Sequence, residues 1–280
     1  ADIFSGDADA NTVYAYAGND TVYGQGGADR LEGGLGADKL YGGNGNDTIY
    51  SDDGADIIDG GADIDLLLFT GGTARVVVNL SSISISYDTT NSLAANSIID
   101  NYGFTDSVTS LTIENVTGGT GADTFAGSTA NNVLNGADGN DYFYASLGND
   151  TIIGGNGADT LDFTNLTTTA GVNVTLNTFL SFSGITQTVT TMENFTGSSQ
   201  NDTITGDGVA NVLNGGAGDD TIDGKAGIDV INGGAGNDLF TIDFSSVDTI
   251  DGGANTLKDT VKFNAGNTGT SIATDTNFVM

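Results

Sequence analysis

The sequence predicts an all-β fold in which short strands and tight turns stack as a parallel solenoid. Two observations carry that prediction: a nine-residue period, and a composition made for turns. From Gly6 to Leu68 the 280-residue chain divides without a gap into seven nonamers: GDADANTVY, AYAGNDTVY, GQGGADRLE, GGLGADKLY, GGNGNDTIY, SDDGADIID and GGADIDLLL. The chain holds 44 Gly and no Pro, and of its 37 acidic residues only Glu32, Glu114 and Glu193 are Glu. Asp suits turns and disfavours helix interiors, so this acidity points to turns rather than to solvated helices.

Each half of the nonamer has its own physical reading. The Gly-rich half can adopt the positive φ angles of a tight turn, which a Cβ resists. The second half places Asp at position six (Asn11 in the first repeat) and a large apolar residue at position eight: Val13, Val22, Leu31, Leu40, Ile49, Ile58 and Leu67. With side chains alternating along a strand, that pattern is a short strand with one apolar side chain inward. Two strands and two turns make a coil of about 18 residues, and stacked coils bury their apolar residues between two parallel sheets. Tyr14, Tyr23, Tyr41 and Tyr50 fall at position nine and are expected to face outward, as a stacking ladder in the first reading and as an exposed adhesive face in the second.

The array returns twice, dividing the chain into a first array over 1–68, a strand-rich segment over 69–117, a second array over 118–162, a strand-rich segment over 163–196, a third array over 197–263 and a C-terminal segment over 264–280. The intervening segments alternate like strands, as in ARVVVNLSSISISY and GVNVTLNTFLSF. They are expected to continue or cap the solenoid core rather than act as linkers. Both follow an exit ending on an inward Phe (Phe69, Phe163), and DTVKF repeats that exit at Phe263. Both return through a shared motif, ENVTG at Glu114–Gly118 and ENFTG at Glu193–Gly197, 79 residues apart, after which Asn132 aligns with Asn211. The chain opens within a repeat, so it reads as a piece of a longer polypeptide or as a subunit whose ends meet neighbours.

Composition excludes much chemistry. With no His and no Cys there is no His-based triad, thiol nucleophile, or standard zinc or haem site. A formal charge of −31 makes nucleic acid and anionic membranes poor partners, and no window reaches the roughly 18 apolar residues of a membrane helix. No phosphate-binding loop or nucleophile elbow occurs, and close pairs such as Asp52/Asp53 and Asp219/Asp220 read as turn carboxylates rather than a glycosidase pair. The six cations, Arg30, Lys39, Arg75, Lys225, Lys258 and Lys262, are scattered and are expected in surface ion pairs. What remains attractive is a hard cation held by oxygen.

GGLGADKLY and GGNGNDTIY resemble the GGxGxDxUx repeat of RTX proteins. The resemblance implies a right-handed parallel β-roll in which a turn and the next turn on the same edge clamp Ca²⁺ between them. The ligands it implies are position-six carboxylates and main-chain carbonyls. Carried onto this chain, it assigns Asp2, Asp20, Asp29, Asp38, Asp47, Asp56 and Asp65 in the first array, Asp123, Asp141, Asp150 and Asp159 in the second, and Asp202, Asp220, Asp229, Asp238 and Asp248 in the third. Asn11, Asn132 and Asn211 replace the anionic ligand, so their sites are expected to be weak or empty. The count implied is about nine or ten Ca²⁺. At ~1 mM calcium and a per-site Kd of ~10⁻⁴ M each ion adds about 1.4 kcal/mol, so the calcium-free chain is expected to be largely unfolded.

These features lead to a non-catalytic, calcium-binding structural module of a secreted bacterial cell-surface protein, of the S-layer, adhesin or extracellular-fibre kind. Its expected partners are copies of itself in a lattice or fibre, with cell-surface polysaccharide as a further candidate. The alternative is the non-catalytic C-terminal tail of an RTX toxin, protease or lipase exported by type I secretion. An enzyme in its own right, such as a carbohydrate-active β-helix, is the third reading.

Overall fold

The computed structural model describes residues 1–70, 72–87, 89–109, 112–167, 170–242, 247–253, 259–263 and 272–273. Among them there are strands, turns and bends and no helix. The chain forms two compact units, Ala1–Tyr142 with Ser146–Gly157, and Phe143–Ala145 with Ala158–Met280. Each is a stack of coils with one strand of every coil in each of two sheets.

In the first unit one sheet begins with Ile3–Ser5, Thr21–Gly26, Lys39–Asn44 and Ile57–Ala62, and the other with Thr12–Tyr14, Arg30–Glu32, Thr48–Ser51 and Leu66–Phe69. All these neighbours are parallel, and the register is 18 residues: Thr21 pairs Lys39, Lys39 pairs Ile57, and Arg30 pairs Thr48. Alternation then sorts the nonamer. Positions six, eight and one point inward, and positions seven and nine outward. Val22, Leu31, Leu40, Ile49, Ile58 and Leu67 are fully buried, and Ala15 and Ser51 at position one join them. Outward, the Tyr23 and Tyr41 rings stack at 5.1 Å, while the Arg30 guanidinium lies 3.7 Å from the Tyr50 ring centroid.

The segment after Phe69 leaves the spiral without leaving the sheets. Thr105–Val108 continues the first sheet parallel to Ile57–Ala62, with Val108 opposite Ile58. Ser97–Ile99 runs antiparallel between Thr105–Val108 and Val77–Asn79. Val77–Asn79 then supports Thr124–Ala126 in parallel, and Asn115–Thr117 bridges Leu66–Phe69 to Val133–Asp138 in the other sheet.

The second unit repeats this plan. Its first sheet carries Thr160–Asp162, Asn194–Thr196, Val212–Ala217, Val230–Ala235 and Thr249–Asp251. Its second opens with the antiparallel run Ile185–Thr190, Phe179–Phe182 and Asn173–Thr175, and proceeds in parallel through Thr203–Thr205, Thr221–Asp223 and Leu239–Ile242. The solenoid is therefore parallel within its arrays and antiparallel where the inserted strands pass. Phe163 at the exit is buried, edge-on to Phe182 at 5.1 Å and 5.5 Å from Phe195. Phe69 is buried likewise. The Phe263 side chain and the C-terminal segment over 264–280, apart from Ile272–Ala273, lie outside the described residues.

Candidate metal centre

Because position six points inward, each repeat carries an Asp, or in three repeats Asn11, Asn132 or Asn211, into the edge of the core, where turn meets strand. Asp20, Asp29, Asp38, Asp47, Asp56, Asp65, Asp123, Asp141, Asp150, Asp159, Asp202, Asp220, Asp229, Asp238 and Asp248 are all buried. Asp2 departs from this: it is exposed, and its N–H donates to Asp20.

One carboxylate oxygen builds a ladder along each edge. The Asp20 N–H donates to Asp38 Oδ1 (2.6 Å), and that of Asp38 to Asp56 Oδ1 (2.8 Å). On the other edge Asp29 and Asp47 donate in the same way to Asp47 and Asp65, both at 2.8 Å. In the second unit Asp202 donates to Asp220 and Asp220 to Asp238. A carboxylate here does the work of a main-chain acceptor.

The other oxygen distinguishes two kinds of turn. Asp20, Asp29, Asp38, Asp47, Asp56, Asp65, Asp220 and Asp238 are at most 4% exposed, yet Oδ2 of each has no hydrogen-bond donor. An unmatched buried carboxylate oxygen costs free energy unless something positive meets it. In these turns residue four has a left-handed φ: Gly18 (139°), Gly27 (99°), Gly36 (127°), Gly45 (113°), Gly54 (154°), Asp63 (80°), Gly218 (125°) and Gly236 (152°). Gly139, Gly148, Gly157 and Gly227 give the turns of Asp141, Asp150, Asp159 and Asp229 the same conformation. Asp150 differs in one respect: Ser146 Oγ donates to its Oδ2 (2.8 Å).

Five further turns close on themselves. The position-two N–H donates to the second oxygen of Asp123 (from Gly119, 2.9 Å) and Asp202 (from Ser198, 2.7 Å), and to Oδ1 of Asn11, Asn132 and Asn211. In four of these turns the residue-two side chain also accepts the residue-four N–H: Asp7 from Asp9, Ser128 from Ala130, Ser198 from Gln200 and Asp207 from Val209. Residue four carries no left-handed φ in any of the five.

Oxygen crowds the open turns. A Cβ on Gly24 would strike both Asp29 Oδ2 and the Gly42 carbonyl oxygen of the next coil, and one on Gly215 would strike Asp220 Oδ2 and the Gly233 carbonyl oxygen. A Cβ on Gly36 would strike the Gly18 carbonyl oxygen, and one on Gly54 that of Gly36. Among the described residues no group of three acidic side chains suited to a metal forms. The donor set is one carboxylate per turn with main-chain carbonyls, all hard oxygen, and it fits Ca²⁺.

Desolvation and charge act on these acids together. Burial, then the charges of Asp106, Asp52 and Asp38, push Asp56 up to about 8. Burial first and Asp47 next among the charges bring Asp65 to about 7, and burial with Asp202, Asp238 and Asp219 brings Asp220 to about 7. Among the described residues Arg30 pairs with Glu32 (3.3 Å), Lys225 in the Asp229 turn pairs with Asp223 (2.7 Å), Arg75 donates to the Tyr87 carbonyl, and the N-terminal ammonium lies 3.7 Å from Asp20 Oδ1.

Four ladder members lie outside the assigned ligands. Asp106 replaces the missing next turn for Asp56, accepting its N–H at 2.9 Å; the order Asp106-Ser107-Val108 is the tail of a nonamer and was the available signal. Glu114 Oε2 accepts the Asp65 N–H, and Glu193 Oε2 that of Asp159. Their signal is that two of the chain's three Glu open the two re-entry motifs. Asp259 accepts the Asp238 N–H (2.8 Å) from the irregular end of the third array.

No curated protein matches the chain. The family model described as the RTX calcium-binding nonapeptide repeat matches residues 1–31, 32–67, 117–152, 144–164, 196–231 and 214–241. These matches cover more than half of the sequence and fall on the coils whose carboxylates line the two edges, so the chain belongs to the RTX family of calcium-binding β-roll proteins.

Proposed function

We propose that the chain is a structural module of a secreted bacterial cell-surface protein, an S-layer, adhesin or extracellular fibre, which calcium folds and assembles. The observation that carries the calcium part is the ladder of buried acids whose second oxygen meets no donor. Neighbouring open turns on one edge each clamp an ion between them: Asp20 with Asp38, Asp38 with Asp56, Asp29 with Asp47, Asp47 with Asp65, and Asp220 with Asp238. Main-chain carbonyls of the glycine-rich halves complete each shell. The ions also offset a formal charge of −31.

The structural role is supported by the joints. Glu114 with Asn132 and Glu193 with Asn211 recur at the same 79-residue offset, each pair joined by the same Asn Nδ2-to-Glu carbonyl bond of 2.9 Å. A repeated joint lets an array stop, pass through inserted strands and start again, which suits extension by repetition. The module is non-catalytic and extracellular in this reading, and its partners are copies of itself.

Size-exclusion chromatography with light scattering, in chelator and in millimolar calcium, tests it. An expanded monomer in chelator that becomes higher-order assemblies in calcium is expected. Contraction to a compact 28.2 kDa monomer would favour a secretion tail instead. No response to calcium would remove both.

A further inference from the structure

The closed turns are not scattered. In the second array they hold Asp123 and Asn132, its first two repeats, and the left-handed turns of Asp141, Asp150 and Asp159 follow. In the third they hold Asp202 and Asn211, again the first two, and those of Asp220, Asp229 and Asp238 follow. Two repeats make one coil, so each re-entry begins with one complete coil of closed turns. The closed turn of Asn11 likewise precedes the open turns of the first array.

These leading coils have their polar groups met from within. Asp202 Oδ1 accepts the Val172 N–H (2.7 Å) and Oδ2 the Ser198 N–H, while the Ser198 hydroxyl bonds the same carboxylate. Asp123 receives the Val76 N–H (2.7 Å) and the Gly119 N–H. Asn132 and Asn211 accept a turn N–H and donate Nδ2 to the Glu114 and Glu193 carbonyls, a bond that Asp could not make. The coil below each holds apolar Val76 or Val172 where a ladder acid would stand, both buried and each immediately before an inserted strand. Nothing in such a coil calls for a cation, whereas Asp38, Asp47, Asp220 and Asp238 in open turns each leave a buried oxygen that does.

We propose that the leading coil of each re-entered array, with the inserted strands beneath it, folds without calcium and serves as the platform on which the calcium-loaded coils are laid. Asp123 and Asp202 are then ladder residues and not ligands. The proposal rests on the reading that open turns bind calcium, and it changes what the calcium-free chain is: folded stations joined by unfolded arrays.

Hydrogen exchange of the full chain, followed by mass spectrometry in chelator and in calcium, separates the outcomes. In chelator, peptides from 113–135 and 193–214 are expected to exchange at least tenfold more slowly than peptides from 15–68 and 215–242, with the difference closing in calcium. If the leading coils lose protection together with the open coils, the platform is overturned while calcium-driven folding stands. If 15–68 is equally protected in both conditions, the calcium reading itself fails.

Discussion

At the scale of single residues, the turn glycines act through geometry that can be tested apart from the ions. Gly36 combines a φ of 127° with a main-chain approach so close that a Cβ would strike the Gly18 carbonyl oxygen. Gly36→Ala should therefore cost about 1–3 kcal/mol, from left-handed strain and displacement of that carbonyl. Ala130, at the same position of a closed turn, has no such φ, so Ala130→Gly should cost no more than about 1 kcal/mol. Urea denaturation in millimolar calcium measures both, and equal losses would contradict the distinction between the two turns. Single residues also show how legible the site was. The nonamer placed Asp at the coil edges and an apolar side chain in the core, because period two within the strand and period nine along the chain leave one arrangement that buries Leu31, Leu40 and Ile49 together. It could not show that Asp123 and Asp202 are saturated by N–H groups while Asp38 and Asp220 are not. That difference lies in the φ of residue four and in hydrogen bonds the pattern D-x-apolar does not encode.

At the scale of elements, the inserted strands obey the same inward-outward rule but borrow their ladder acids from elsewhere. Sequence alternation marked 69–117 and 163–196 as strands; their antiparallel direction depends on pairing between distant segments, such as Ser97 with Asn79, which no local pattern records. Glu at re-entry follows from geometry, since the returning strand must supply an acceptor to the last coil of the array it leaves. Glu193 Oε2 takes the Asp159 N–H at 2.8 Å, and Glu193→Gln should keep that bond because the amide oxygen can still accept. Glu193→Ala leaves a buried N–H unmatched and should cost about 1–3 kcal/mol. Asn211→Asp should cost a similar amount, since it removes the donor to the Glu193 carbonyl and sets two oxygens against each other. Thermal melting in calcium of the three variants checks the order, with Glu193→Gln closest to the parent. A Glu193→Gln variant as unstable as Glu193→Ala would mean that charge, not hydrogen bonding, makes the joint.

At the scale of the whole molecule, protons and calcium compete for the same carboxylates, and this sets the sign of the pH dependence. Burial and neighbouring charge raise Asp56 to about 8 and Asp52, Asp65, Asp106 and Asp220 to about 7, against an ordinary value of 3.8. A group raised on folding takes up a proton when the chain folds. Its contribution is therefore complete below the unfolded value and is lost as pH rises through the folded one. In chelator the chain should gain strand content and contract as pH falls from about 8 towards 5, because protons then neutralise oxygens that calcium would otherwise meet. In millimolar calcium the direction reverses: the ions hold the carboxylates ionised, and acidification displaces them, so the calcium concentration needed for folding should rise as pH falls. Circular dichroism with sedimentation velocity at pH 5 and 8, in chelator and in calcium, reads both trends. A metal-free chain more compact at pH 8 than at pH 5 would show that the buried acids ionise without penalty, and the ladder would then need no cation to complete it.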